Sequence, residues 1–335
     1  MDGRTVPDRP KPREKRLKLP VIPAAAFGIV LGIAGLASSW RAGSSLWGLP
    51  ILIGQGIGLL GVLIWAVLIV LFSLKWVFFI KQAEEELLHP VQCCFVGLLG
   101  VATMLVGPWV DPLSDGIGKW LFWLGAAWTA GFALWRTGAL WRGGRDHATT
   151  TPVLYLPTVA GSYVIAISGA SFGYDELAQF AFGAGFFSWL AIESVLLNRL
   201  LTAQELPESL RPTIGIQLAP PAVGTAAYLS ATNGNADMLA HAMLGYAFLQ
   251  FLLLIRLLPW VFEQAFSASY WAFSFGLTAM ATAVLKMADR GSSALLASLA
   301  GPIFVLVNTL LLVLVFLSLW HLVSGKLFSL QRIGT

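Results

Sequence analysis

Four histidines, one pair of cysteines and a single acid deep in an apolar run are the side chains here that could do chemistry. Their spacing fits none of the usual sites. His89, His147, His241 and His321 are scattered along the chain, whereas a metal centre needs three or four converging donors. Cys93 and Cys94 are adjacent inside an apolar stretch, which supports neither a structural disulfide nor a metal cluster; buried thiols are expected. Glu193 is the best acid within a candidate membrane span, with Arg199 six positions on. It reads either as a proton relay or anion-discriminating charge, or as a residue that packs at a helix junction or snorkels with a basic partner. Lys286, near the end of its span, can draw anions into a vestibule or snorkel to headgroups. None of these supplies a nucleophile, a general base or a phosphate cradle. No enzymatic activity, cofactor or metal is expected.

The elements that carry these residues are set by hydrocarbon. Of the 335 residues 57% are hydrophobic and 11% charged, a composition for a polytopic membrane protein. Apolar runs lie near residues 21–40, 51–79, 91–109, 119–139, 152–170, 177–199, 211–230, 238–261, 268–288 and 294–322. Their length selects helices over barrel strands, because in lipid each span must satisfy its own backbone hydrogen bonds. The fold class expected is therefore all-α, with ten transmembrane helices. Breaks fall at Trp47-Gly48-Leu49-Pro50, Gly107-Pro108, Gly143-Gly144, Glu205-Leu206-Pro207, Asn233-Gly234-Asn235 and Arg290-Gly291. Residues 1–20 read as a basic cytoplasmic tail, 21–323 as the membrane domain and 324–335 as a short C-terminal tail.

Basic residues orient the bundle. With both termini in the cytoplasm and ten spans, seventeen of the 21 Lys and Arg residues fall inside. Only Arg41, Lys119, Lys286 and Arg290 fall outside. An odd number of spans would spoil that bias. The net charge of +4 thus reflects membrane topology, and no nucleic-acid partner is expected. Many tryptophans, among them Trp40, Trp47, Trp109, Trp120 and Trp260, sit at span ends as interfacial anchors next to membrane lipids.

Within the spans, small residues and prolines carry the next signal. Gly28 and Gly32 lie four apart, which allows close helix approach or leaves room along a conduit. Pro23, Pro108, Pro157, Pro220 and Pro221 fall mostly in odd-numbered spans, as interior kinks or helix-end stops. That bias suggests odd helices form an inner layer. In Trp271-Ala272-Phe273-Ser274-Phe275-Gly276, the two phenylalanines point in different directions on a helix. A helix starting near residue 268 puts Phe275 about 10–12 Å into a core about 30 Å thick. There it can close a wet passage, or simply pack, with Ser274 and Gly276 permitting close backbone approach.

Several separated segments in order resemble the tellurite-resistance/dicarboxylate-transporter family, which is related to plant guard-cell slow anion channels. They are Ala102-Thr103-Met104-Leu105-Val106-Gly107, Tyr155-Leu156-Pro157-Thr158-Val159-Ala160, Phe182-Gly183-Ala184-Gly185, Gly215-Ile216-Gln217-Leu218-Ala219-Pro220, Leu257-Leu258-Pro259-Trp260 and the segment 271–276. The resemblance covers nearly all the chain after the basic tail. It implies five helical hairpins with five odd-numbered inner helices around a pore, homotrimers with one pore per subunit, and a bacterial cytoplasmic membrane. It puts the family's pore-closing phenylalanine at Phe275, with Gly28, Pro23, Thr103, Pro157, Pro220 and Gly276 as pore or kink candidates.

Two functions from different classes fit this reading. One is an anion channel or facilitator for small monovalent inorganic anions, favoured by the odd-helix prolines and the lack of coupling charges. The other is a secondary transporter or efflux protein for dicarboxylates or oxyanions such as tellurite, which needs a cationic substrate site.

Overall fold

The computed structural model describes residues 18–332 except 145 and 292. Eight helices in it are long and apolar enough to cross a membrane. They are α1 (Ala24–Trp47), α2 (Ile51–Phe78), α3 (Cys93–Leu113), α5 (Pro152–Ser171), α6 (Asp175–Thr202), α8 (Met238–Val261), α9 (Ala268–Asp289) and α10 (Ala294–Val323). Two further helical segments complete the sequence order. One is α4 (Ile117–Leu140), whose tryptophans and Lys119 dilute its apolar character. The other is a 3₁₀ stretch Glu208–Leu218 that runs into α7 (Ala219–Ala231), with Pro212, Pro220 and Pro221. A short amphipathic helix, Ile80–Leu88, joins α2 to α3.

Chain breaks follow glycine and proline chemistry. Gly48 ends α1 in the left-handed region at φ 69°, and Pro50 caps α2. Gly143 and Gly144 also take positive φ beyond the end of α4.

Burial alternates along the chain. In the most apolar window of α1, α3, α5 and α9, 61–78% of residues are buried; in α2, α6, α8 and α10 the share is 22–33%. The second group carries rows of exposed Leu, Val, Ile and Phe, the surface that a lipid solvent selects. The first group is rich in Ala, Gly, Ser and Thr, which lets its helices approach closely. The α3–α4 contact shows how close: a Cβ at Gly100 would sit 2.7 Å from the Gly125 carbonyl, and one at Gly125 2.6 Å from that of Gly100. Gly107 and Gly118 repeat the arrangement one step along. The backbones touch, and dispersion between them stands in for the hydrophobic drive that lipid cannot supply.

The buried helices are irregular where they begin. α1 starts with a 3₁₀ turn at Ala24–Phe27 behind Pro23, and α9 with Ala268–Phe273. α5 contains a π-helical turn, Leu156–Ala160, around Pro157. Pro220 and Pro221 occupy the first turn of α7, where their missing N–H groups leave no intrahelical bond unmade. Pro108 lies inside α3 near its end.

At the end of the molecule where α1 begins the chain termini meet. Strand β1 (Lys18–Val21) pairs antiparallel with β2 (Ser329–Arg332), Val21 opposite Ser329. Next to this ribbon Lys75 of α2 donates to Glu86 Oε2 at 2.6 Å and to the Ile22 carbonyl at 3.3 Å. Glu86 Oε1 accepts the Ala24 N–H at 2.8 Å, so a buried ion pair fixes the start of α1. Residues 1–17 of the expected basic tail lie outside the described residues, and residues 18–20 belong to β1.

Candidate functional site

Two cavities lie among the buried helices, and both are bounded by Phe275. The first, about 60 Å³, is lined almost wholly by apolar groups, including Gly28, Leu31, Leu98, Tyr163, Pro220 and Val223. The second, about 440 Å³, lies toward the far ends of α1, α5, α7 and α9. It is lined by Ser38, Arg41, Ser45, Ser171, Ser230, Thr282, Lys286, Asp289 and Arg290. Residues of α1, α3, α5, α7 and α9 contribute to the walls of both.

Phe275 lies in the first α-helical turn of α9, just after its 3₁₀ turn, and is half-buried. Its ring lies over Gly35 of α1, where a Cβ would come within 3.5 Å of Cδ2. A Cβ at Gly35 would also meet Thr278 Oγ1 at 2.1 Å, so this glycine holds α1 against α9 beside the ring. Phe273 goes elsewhere. Its ring fills the space of the absent side chain at Gly215, and it lines a separate apolar recess between α8, α9 and α10.

The cationic cavity is built from helix ends. Arg41 stacks on Trp109, with its guanidinium carbon 3.9 Å from the ring centroid, and that indole sits in the space left by Gly58. Lys286 Nζ donates to Ser230 Oγ at 2.9 Å. Arg290 donates to the carbonyls of Leu229 and Thr232, which ends α7 firmly. Asp289, the single carboxylate lining this cavity among the described residues, accepts from Ser45 Oγ at 2.6 Å.

Glu193 is buried on α6 at the junction expected of it, but its partners are phenols, amides and an indole rather than Arg199. Oε1 accepts from Tyr246 at 2.6 Å, Gln217 at 3.1 Å and Gln250 at 3.5 Å. Oε2 accepts from Trp189 at 2.9 Å and from the Tyr155 hydroxyl. Five donors from α5, the stretch before α7, α6 itself and α8 therefore converge on one carboxylate. Tyr155 also lines the small apolar cavity, so the cluster braces its wall.

The remaining sequence candidates separate. Gly28 and Pro220 line the small cavity with Phe275. Pro23 borders a polar recess near Lys75 and His89 at the end where the chain termini meet. Thr103 is buried between helices, accepting from Trp65 Nε1 at 3.0 Å and donating to the Leu99 carbonyl at 2.7 Å. Pro157 is buried in the π turn. Gly276 packs on the start of α7, where a Cβ would lie 3.0 Å from the Ala219 nitrogen. Three histidines are held by local backbone: His89 caps Val91 and Gln92, while His241 and His321 bond the carbonyls of Asp237 and Leu317. Cys93 and Cys94 are buried, their sulfurs 4.0 Å apart, without a disulfide. Sequence reasoning missed Gly35, whose role follows only from its neighbours, and the donors around Glu193. It counted Arg41 and Arg290 as topology charges alone.

Together these features define a multi-pass helical membrane protein whose buried helices enclose two cavities sharing one aromatic wall. The chain belongs to the SLAC1 family, described as voltage-dependent anion channels, which matches residues 22–320. It is 33% identical over 308 residues to the "Tellurite resistance protein TehA homolog" of Haemophilus influenzae, covering 92% of this chain and 93% of that protein. It is 24% identical over 280 residues to the "Guard cell S-type anion channel SLAC1" of Arabidopsis thaliana, covering 80% of this chain and half of the plant protein. A third relative, 30% identical over 233 residues, is the "Uncharacterized transporter MJ0576" of Methanocaldococcus jannaschii; 62% of this chain and 64% of that protein are covered.

Proposed function

We propose that this protein is a channel for small monovalent anions, closed at Phe275. The observation that carries this reading is the shared position of Phe275 at the boundary of both cavities, one apolar and one cationic. An apolar ring at a narrow point excludes water, so an anion meets a dehydration barrier there. The cationic side raises local anion concentration, and the neutral, apolar walls around the ring leave nothing to trap the ion once it enters. Family membership and the names of the tellurite-resistance and guard-cell relatives support anion transport in general.

The same reading includes α4 and the 208–231 segment as spans. The membrane domain (21–323) then has ten helices in five hairpins, with the odd-numbered ones inside. The charge bias supports a reading with both termini, tails 1–20 and 324–335, in the cytoplasm of a bacterial cell and the cationic cavity outside. Homotrimers with one pore per subunit follow from the family resemblance, and light scattering of the protein in lipid nanodiscs measures that mass.

Phe275→Ala should raise basal chloride current in planar bilayers at least about tenfold, which corresponds to a barrier lowered by about 1.4 kcal/mol. Phe273→Ala is the matched control, because its ring fills the Gly215 notch and faces the other recess. Wild-type current from folded Phe275→Ala protein, or an open path in Phe273→Ala alone, refutes the gate. Flux that requires a proton or sodium gradient refutes the channel and restores the coupled transporter.

A further inference from the structure

Three of the four basic residues that the charge bias assigns to one side of the membrane, Arg41, Lys286 and Arg290, line one cavity. They come from positions up to 249 residues apart, so only the fold unites them. Three cations against Asp289 leave this cavity with a net charge of +2. Among the described residues no carboxylate lies within ion-pair distance of any of the three, and Asp289 is engaged by Ser45. Such an arrangement raises the energy of every cation in it and is relieved by an anion.

The donors left over define where an anion would sit. Arg290 is committed to the Leu229 and Thr232 carbonyls and is anchored at the wall. Lys286 spends one of its three protons on Ser230, which leaves two. Arg41 is held over the Trp109 ring, and among the described residues its guanidinium has no hydrogen-bond acceptor. It is a preorganised fork with open donors. The Ser38, Ser171 and Thr282 hydroxyls on the same walls donate to the Ala34, Ser168 and Thr278 carbonyls, which leaves the Lys286 ammonium and the Arg41 guanidinium as the open donors.

We propose that this cavity is a binding site for a small inorganic anion, chloride- to nitrate-sized, held by Arg41 and Lys286 before the Phe275 restriction. The proposal rests on the channel reading for its role in conduction, but the binding itself is a property of the closed protein. A cavity of about 440 Å³ has room for the anion with part of its water shell, which keeps the site weak enough to release the ion. Lys286 serves here as a ligand, with its charge turned into the cavity by Ser230 rather than toward headgroups.

The test is chloride NMR line broadening by purified wild-type protein in nanodiscs, titrated with nitrate as competitor. Saturable broadening that nitrate displaces is expected. Even at water's dielectric constant, one unit charge about 4 Å from the anion changes affinity about sixfold. Lys286→Gln and Arg41→Gln should therefore each weaken binding by about that factor or more, and Lys286→Arg should restore most of it. Arg136→Gln removes a cation outside this cavity and should change nothing. Equal broadening by wild type and both cavity variants, with melting temperatures matching wild type, overturns the site. If the variants unfold, failure of nitrate to displace chloride from the wild-type protein overturns it instead. Displaceable binding with no rise in current from folded Phe275→Ala protein would refute the gate at Phe275 and leave the anion site standing.

Discussion

Glu193 offers the sharpest test of how the bundle is held together, because five donors depend on one carboxylate. In Glu193→Leu those donors lose their acceptor at once. Trp189 can only donate, so its N–H is orphaned outright, while the Tyr155 and Tyr246 hydroxyls can turn toward the amides. Hydrogen bonds to a charged group contribute about 1.5–3 kcal/mol each, but removing the carboxylate also removes the cost of burying it. The net loss should fall near that of stripping one partner from a buried charged network, about 3–5 kcal/mol. Glu193→Gln is gentler. Its carbonyl can take the place of Oε2 and keep Trp189 and Tyr155 bonded. Its NH₂ would then face Gln217, whose own Oε1 has no partner and can accept after an amide flip. That variant should lose only about 1–2 kcal/mol. At up to about 2 °C per kcal/mol for a chain of this size, Leu should lower the melting temperature by about 6–10 °C and Gln by about 2–4 °C. Melting in nanodiscs, followed by loss of the monodisperse species, measures both. If Leu melts with the wild type, the carboxylate is not a brace. If Gln is the more damaging change, the negative charge itself has a role that hydrogen bonding does not describe.

Glu86→Ala should destabilise by about 3–5 kcal/mol because it leaves Lys75 buried without its partner, whereas the double change Lys75→Met/Glu86→Met should come close to wild type; equal melting of the single variant and wild type refutes a structural pair. Asp237 lies outside the spans, and a hydrogen bond from Tyr228, then the Ala240 N–H, hold its carboxyl below the ordinary value. A depressed folded value means that its stabilisation is complete above the unfolded pKa of about 3.9 and is lost as pH falls through the folded one. Asp237→Asn keeps a helix cap, so its melting deficit should be constant from pH 7 to about pH 5 and vanish in stronger acid; a deficit unchanged at the lowest pH contradicts that linkage.

Much of the architecture was legible in the chain because lipid leaves a backbone few choices. Long apolar runs must close their own hydrogen bonds, so eight of the expected spans reappear as long apolar helices, some with ends at glycine or proline such as Gly48 and Pro50. The expected run at 119–139 is the helix Ile117–Leu140, and that at 211–230 begins as a 3₁₀ stretch that periodicity does not reveal. The scatter of the histidines was also legible in the chain, and three of the four, His89, His241 and His321, bond local backbone.

What only the tertiary structure decided is which faces meet. The direction of a side chain depends on the accumulated turn of its helix, and the 3₁₀ and π stretches at 24–27, 156–160, 208–218 and 268–273 reset that phase. Phe273 and Phe275 are two residues apart in the chain, yet one fills the notch at Gly215 and the other lies over Gly35. Arg41 and Arg290 read in the sequence as topology charges, and Lys286 as either a vestibule charge or a snorkelling cation, because nothing local distinguishes a helix end that borders a cavity from one that borders lipid. Glu193 gathers donors from neighbouring helices up to 57 positions away, and Gly35 matters for an absent side chain whose space α9 occupies. Local sequence sets where helices start and stop; long-range packing sets what their faces enclose.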